Sequence, residues 1–299
     1  MSTPEPRTTT NDRALVLAGA GAAGNAWELG LVAGLAAAGV DLTDADLVVG
    51  TSAGSTAAAQ ITSGARPADL YAAVVAEAPP AGPGPARPAR ATSQSFMDWS
   101  DTIIASSADP SDMRRRMGAA ALAKDTADDE STRRWRETVA ARLPRRDWPA
   151  RLVRIAVVDA RTGEPVVLDR DSGIDLVDAV AASTSNGFAG TYGVGERRFI
   201  NGGYRRNENA DLAAGYGRVL VLSPFGGRTR HPLAWRTDLA AQVAELRAGG
   251  SSVEVVVPDA SAGDVFDARA MDPSTRPQAA RGGYEQGRAL AGRLATFWV

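Results

Sequence analysis

Gly50-Thr51-Ser52-Ala53-Gly54 has the spacing G-x-S-x-G and stands between a short apolar run at 46–49 and a helix-forming stretch at 53–63. That is the context a nucleophile elbow requires. A strand runs into a sharp turn, the strained seryl backbone lifts Oγ above the sheet edge, and flanking glycines let strand and helix approach closely. The chemistry on offer is attack of a serine oxygen on an ester carbonyl, giving a covalent acyl intermediate. Such a reaction needs somewhere to hold the charge that develops on the attacked oxygen. Gly19-Ala20-Gly21-Ala22-Ala23-Gly24 lies one strand earlier, after apolar residues 14–18 and before a helical stretch at 25–38. Backbone amides around Gly19, Ala20, Gly21 and Ala22, beside Ser52, would form that oxyanion hole, with the helix N-terminus adding to the field.

The glycine hexapeptide has two other readings. As G-x-G-x-x-G it is also the fingerprint of a dinucleotide site, and in an alanine-rich chain it can be a plain structural turn. A nicotinamide- or flavin-dependent oxidoreductase needs an acid at the end of the second strand to hold the ribose. Asp46 opens that strand instead, and Gly50-Thr51-Ser52 occupies the place of the carboxylate. The expectation is a chain without NAD or FAD. His231, the only histidine, lies in a loop after apolar residues 218–222, where it could serve as the imidazole of a triad or be an ordinary loop residue.

Composition narrows the field further. With no cysteine and one histidine, thiolate and multi-histidine metal centres are excluded, leaving a carboxylate-only Mg²⁺ or Ca²⁺ site as the one metal option. No metal and no cofactor are expected. Lys and Arg total 33 against 35 Asp and Glu, for a net charge of -2, so no global positive field gathers nucleic acid or anionic membrane. The basic groups Arg114-Arg115-Arg116 and Arg133-Arg134 are candidates for lipid phosphate or for a solvated helical face. The start of the chain is polar and lacks the apolar core of a signal peptide, and no stretch is long and apolar enough to span a bilayer, so a cytoplasmic protein is expected.

The elements that must position these residues follow a strand-turn-helix rhythm. Two such units within residues 14–63 argue for a mainly parallel sheet covered by helices, an α/β class. Residues 1–12 read as a loose tail and 13–299 as one α/β domain. A proline-rich excursion begins near 77, and a helical insertion runs to about 145, either as a cap or as a helical layer on the sheet. Strands are expected at 152–158, with Thr162-Gly163-Glu164-Pro165 marking a hairpin or a strand crossing to the next edge, at 199–200, at 218–222 and at 253–257. Helices are expected at 175–183, around Leu239, Val243 and Leu246, and at the C-terminus through Tyr284, Leu290, Leu294 and Phe297.

Taken together, the elbow at Gly50–Gly54 and the glycine segment at Gly19–Gly24 followed by Gly30-Leu31 resemble the patatin-like phospholipase family. So do the helix Asp178-Ala179-Val180-Ala181-Ala182-Ser183 and the later Asn201-Gly202-Gly203. The resemblance covers the first 64 residues and 175–222. It implies a Ser/Asp dyad on an α/β sheet, acting on lipid or other carboxylic esters, with Ser52 as nucleophile. The arginine usual in the family's glycine segment is Ala23 here, and its Asp-Gly-Gly is Asn201-Gly202-Gly203, followed by Asn207 and Asn209-Ala210-Asp211. An amide at the acid's position cannot accept the seryl proton. An introduced Asp-to-Asn change, a naturally degenerate site and a different carboxylate, Asp211, all fit these letters. The main reading is an impaired serine acyl hydrolase of lipid metabolism; the alternative is a non-catalytic acyl-metabolite binding protein on the same fold. The expected partner is a small acyl ester or lipid, with transient membrane contact and no nucleic acid. Trp27, Phe96, Trp99 and Phe188 are the candidate acyl-pocket walls.

Overall fold

The computed structural model describes residues 13–77, 93–126, 130–267 and 269–298. The tail at 1–12 and the proline-rich run at 78–92 lie outside the described residues. In chain order the elements are β1 (Arg13–Leu17), α1 (Gly21–Ala37), β2 (Leu47–Thr51), α2 (Ala53–Ile61), α3 (Pro67–Val75), α4 (Ser93–Ala105), α5 (Pro110–Leu122) and α6 (Glu130–Ala140). They continue with β3 (Leu152–Asp159), β4 (Pro165–Leu168), α7 (Leu176–Thr184), β5 (Tyr192–Val194), β6 (Arg197–Asn201), β7 (Arg218–Leu222), α8 (Leu239–Ala248), β8 (Ser252–Val256) and α9 (Arg276–Trp298).

The sheet order is β5-β6-β3-β2-β1-β7-β8, with β4 paired to β3. Strands β3, β2, β1, β7 and β8 run parallel, whereas β4, β5 and β6 are antiparallel additions at one side. The central strands are apolar on both faces because helices cover both. Ala14 to Leu17, Leu47 to Val49 and Val219 to Leu222 are essentially inaccessible to solvent. Leu15, Leu17 and Val48 face the core shared with α1, α2, α7 and α9, while Val16, Val49, Val219 and Val221 face the layer that includes α8.

Two helices show how close packing is written into small residues. α1 is apolar on all sides apart from Asn25 and Glu28 and is buried from Ala23 to Leu35, as befits a helix enclosed by sheet and α9. At Gly34 the two helix backbones nearly touch: a Cβ there would overlap the Tyr284 carbonyl, and one at Gly30 would overlap that of Ala280. α3 was not expected, because Pro67 reads as the end of the preceding helix. It is instead the first residue of α3, where a proline's missing N–H has no intrahelical partner to lose.

The register assembles the site. Leu17 pairs with Gly50, Thr51 with Ala156, and Val157 with Asn201. The turns that follow β1 and β2 and the end of β6 therefore share one row across the sheet. α5 packs Met113, Met117 and Ala121 against Val158, Ala160 and Ile200, next to that row.

Candidate active site

Ser52 caps β2 at φ 53, ψ -121, a left-handed conformation that a side-chain-bearing residue seldom adopts. Two contacts hold it there. Its N–H donates to Ser183 Oγ at 2.9 Å, and the Ser183 hydroxyl donates in turn to the Ala156 carbonyl at 2.8 Å, tying the elbow to α7 and β3. On the helical side Ser55 Oγ donates to the Ser52 carbonyl at 2.6 Å. Gly54 supplies the space: a Cβ there would overlap the Leu17 carbonyl, so α2 can sit this close to β1 only without a side chain.

The glycine segment lies directly beside the serine. A Cβ at Gly19 would stand 3.0 Å from Ser52 Cβ and 3.4 Å from Asn207 Oδ1. Of the amides in the turn, Gly19 N–H donates to the Asn207 carbonyl at 3.3 Å and Ala23 N–H to the Ala270 carbonyl at 3.0 Å. The N–H groups of Ala20, Gly21 and Ala22 have no hydrogen-bond partner among the described residues. They open α1, where orphan donors and the helix dipole favour a negative charge. Met271 lies against this turn, its Sδ 2.5 Å from where a Cβ of Gly21 would be, and is itself 58% exposed.

Asn201 completes the row. Its Nδ2 donates to Ser52 Oγ at 2.9 Å, and its Oδ1 accepts from Gly203 N–H at 2.7 Å. The second bond fixes the direction of the first, because turning the amide over would set NH₂ against N–H. The Asn201 N–H itself donates to the Ser185 carbonyl at 2.7 Å.

Beneath the row, residues 207–209 join three of its loops, a function that sequence reading did not detect. Asn209, at φ 53, donates through Nδ2 to Thr51 Oγ1 at 3.0 Å, to the Gly202 carbonyl at 3.2 Å and to the Arg206 carbonyl at 2.7 Å. Glu208 is buried and accepts from Ser223 Oγ at 2.9 Å, Asn207 Nδ2 at 3.3 Å and Gln242 Nε2 at 3.3 Å. Burial raises its pKa despite these donors. The signal for this cluster was the polar run Asn207-Glu208-Asn209 a few residues after the glycine turn; Ser183, a hydroxyl following the small apolar residues 179–182, was the signal for the elbow's partner.

Other expected participants lie apart. His231 Nδ1 is 3.0 Å from Thr237 Oγ1, and burial, with the charges of Arg230 and Arg114, pushes its pKa down to about 4. Its ring is neutral at pH 7, and its partner is a threonine, whereas Ser52 Oγ is held by Asn201. Asp211 forms ion pairs with Arg205 and Arg206; burial would raise its pKa, but the Arg205 hydrogen bond and the arginine charges hold it lowered. It is engaged away from the serine. Asp46 accepts from Arg13 N–H at 2.7 Å, at the opposite end of the sheet from the elbow. Trp27 is not a pocket wall: it is fully buried, donates to Gln286 Oε1 at 2.9 Å and packs edge-on against Phe266. Phe96, Trp99 and Phe188 do come together, as one group of half-buried rings. Arg115 and Arg116 pair with Asp112 on the surface of α5, and Arg114 donates to the Gly163 carbonyl at 2.8 Å.

Among the described residues no three His, Asp or Glu side chains are grouped to hold a metal, and no helix is long and apolar enough to cross a membrane.

The family model for "Patatin-like phospholipase" matches residues 15–214, which contain Gly19 to Gly24, Ser52 and Asn201. The chain belongs to that family. Membership supports a lipid-hydrolase function in general terms and accords with the mixed, mostly parallel sheet under helices. Among solved structures, VipD from Legionella pneumophila is similar over 95% of this chain and 67% of that one, at 14% identity and a TM-score of 0.43. The type III effector protein ExoU is similar over 95% of this chain and 53% of that one, at 15% identity and a TM-score of 0.41. The chain thus spans about two thirds of the first protein and about half of the second. No curated protein matches it.

Proposed function

We propose that the chain is a serine acyl hydrolase of lipid or other carboxylic esters, with Ser52 as nucleophile, slowed because Asn201 stands where the family's dyad has its acid. The free amides of Ala20, Gly21 and Ala22 form the oxyanion hole, with Gly19, whose own N–H is given to the Asn207 carbonyl, supplying the close turn beside Ser52, and Gly50, Thr51, Ala53 and Gly54 shape the elbow. The single observation that carries this reading is the direction of one hydrogen bond: Asn201 Nδ2–H donates to Ser52 Oγ at 2.9 Å.

An aspartate in the same pose would accept Gly203 N–H on one oxygen and the seryl proton on the other. Asparagine keeps the first contact and reverses the second. The serine is still oriented, but nothing at this position removes its proton, and general-base assistance is worth roughly 10²- to 10⁴-fold. What persists is attack by a neutral hydroxyl, aided by the oxyanion amides, which favours substrates with good leaving groups.

A fluorophosphonate probe tests this directly. Slow, stoichiometric labelling of the wild-type chain at Ser52, absent from Ser52→Ala, is expected. If folded protein stays unlabelled while binding an acyl ligand saturably, the reading gives way to a second one: a protein that retains acyl metabolites in the same cleft without turning them over. The donor on Oγ is the observation in that reading's favour, since it leaves the serine an intact hydroxyl.

A further inference from the structure

Lys124 is the only lysine in the sequence, beside 32 arginines. Its Nζ lies 4.1 Å from the ring centre of Phe188 and 4.7 Å from that of Trp99, and it donates to the Phe188 carbonyl at 2.7 Å. No carboxylate among the described residues pairs with it. The rings form a corner: Trp99 and Phe188 meet edge to face at 5.5 Å and 74°, and Phe96 closes the group at 6.2 Å from each. All three rings are half-buried, and Lys124 itself is exposed, so the corner opens to solvent. It also packs on β6, the strand that ends at Asn201. A Cβ at Gly187 would be 3.7 Å from Trp99 Cη2 and 3.2 Å from Ile200 Cγ2, and Ile200 immediately precedes Asn201.

Aromatic faces attract a cation through their quadrupole, most strongly when water is excluded. A primary ammonium is a poor tenant of such a place, because it is strongly hydrated and its three N–H donors want partners. The single protein acceptor among the described residues is the Phe188 carbonyl, and partial burial lowers the lysine's pKa. A trimethylammonium group has no N–H to satisfy and a diffuse charge, so it loses less on leaving water.

We propose that Phe96, Trp99 and Phe188 form a subsite for a trimethylammonium group, and that Lys124 is its resident plug. As a substrate subsite this rests on the acyl-hydrolase reading: a choline-type head seated here would bring the remainder of an ester substrate toward Ser52. The binding chemistry itself does not depend on turnover.

Calorimetric titration of the full chain with tetramethylammonium chloride, against a sodium chloride control, tests it. Lys124→Ala empties the corner and should bind at least ~5-fold more tightly than wild type, in keeping with the strength of cation–π contacts. Adding Trp99→Leu or Phe188→Leu, which keep apolar volume but remove a π face, should erase that gain. Equal affinity of Lys124→Ala with and without Trp99→Leu, or no binding to any folded variant, would overturn the proposal. Two further arms on Lys124→Ala identify the source of the group. Preferential binding to phosphatidylcholine over phosphatidylglycerol vesicles points to a lipid head, and binding of phosphocholine without vesicle preference points to a free metabolite. Fluorophosphonate labelling of the wild type separates the two readings: loss of labelling with tetramethylammonium binding intact removes the hydrolase and leaves the subsite, and the converse removes the subsite alone.

Discussion

Ser52 at φ 53 holds a conformation that costs on the order of 1–3 kcal/mol in a non-glycine residue. The surrounding contacts over-determine it: Ser183 takes its N–H, Ser55 its carbonyl and Asn201 its Oγ. On the proposed mechanism, a one-atom exchange at Asn201 alters chemistry without altering geometry, since the Gly203 amide locks the side chain either way. The one histidine invites a different mechanism, and its ionisation discriminates. With its pKa pushed down to about 4, the His231 ring is already neutral throughout the range in which a catalytic imidazole would titrate. The sign follows from a depressed value: the unfolded chain takes up this proton first, so stability from the neutral ring is complete above about pH 6.5 and falls away as pH drops toward 4. NMR titration of the single imidazole should give a midpoint near 4, and Ser52 labelling rates between pH 5.5 and 8 should show no inflection removed by His231→Asn. A midpoint near 6.5, matched by such an inflection, would return His231 to the mechanism.

At the scale of elements, the strands and turns that carry the row were legible because their signals are local. Apolar runs mark β1, β2, β3 and β7, and glycine spacing marks the two turns. The hairpin at Thr162 to Pro165 is likewise local, and β3 and β4 pair antiparallel as its letters suggest. β5 was missed because Tyr192-Gly193-Val194 is too short for alternation to show, and α3 because proline both stops and starts helices. The direction of the Asn201 bond was hidden for a different reason: it depends on Gly203 N–H, a backbone donor no letter announces. The union of α1 and α9 was half visible, as a terminal apolar stripe but not as a glycine-lined seam. That seam makes a prediction. Gly34→Val drives a side chain into the Tyr284 carbonyl and should destabilise by about 1–3 kcal/mol in urea unfolding. Gly292→Ala, in α9 but with open space around it, should stabilise by about 0.5–1 kcal/mol. Equal effects at the two positions would mean that the helices do not meet as closely as described.

For the molecule as a whole, Glu28 is the feature that resists explanation by packing. It is fully buried in α1, and neither carboxyl oxygen has a hydrogen-bond partner among the described residues; the nearby Ala18 N–H is already given to the Leu222 carbonyl at 3.1 Å. Burial raises its pKa well above the usual carboxylate range, and the Ala18 amide only partly opposes this. A raised acid contributes stability that is complete below its unfolded pKa and is lost as pH rises through the folded value. Relative to Glu28→Gln, the wild-type chain should therefore lose unfolding free energy as pH rises above the ordinary carboxylate range, measured in urea. Parallel curves for the two proteins would show that the carboxyl is solvated or paired.

The role of Asn201 is tested most directly by putting a carboxylate back. Asn201→Asp keeps the Gly203 contact and turns the 2.9 Å bond around, so that Ser52 donates and the acid can take its proton. Esterase kcat/KM on short and long acyl esters should rise at least ~10-fold, within the span general-base catalysis allows, and the gain should vanish in Asn201→Asp/Ser52→Ala. No rise in a correctly folded Asn201→Asp protein, or a rise that survives loss of Ser52, would contradict the account.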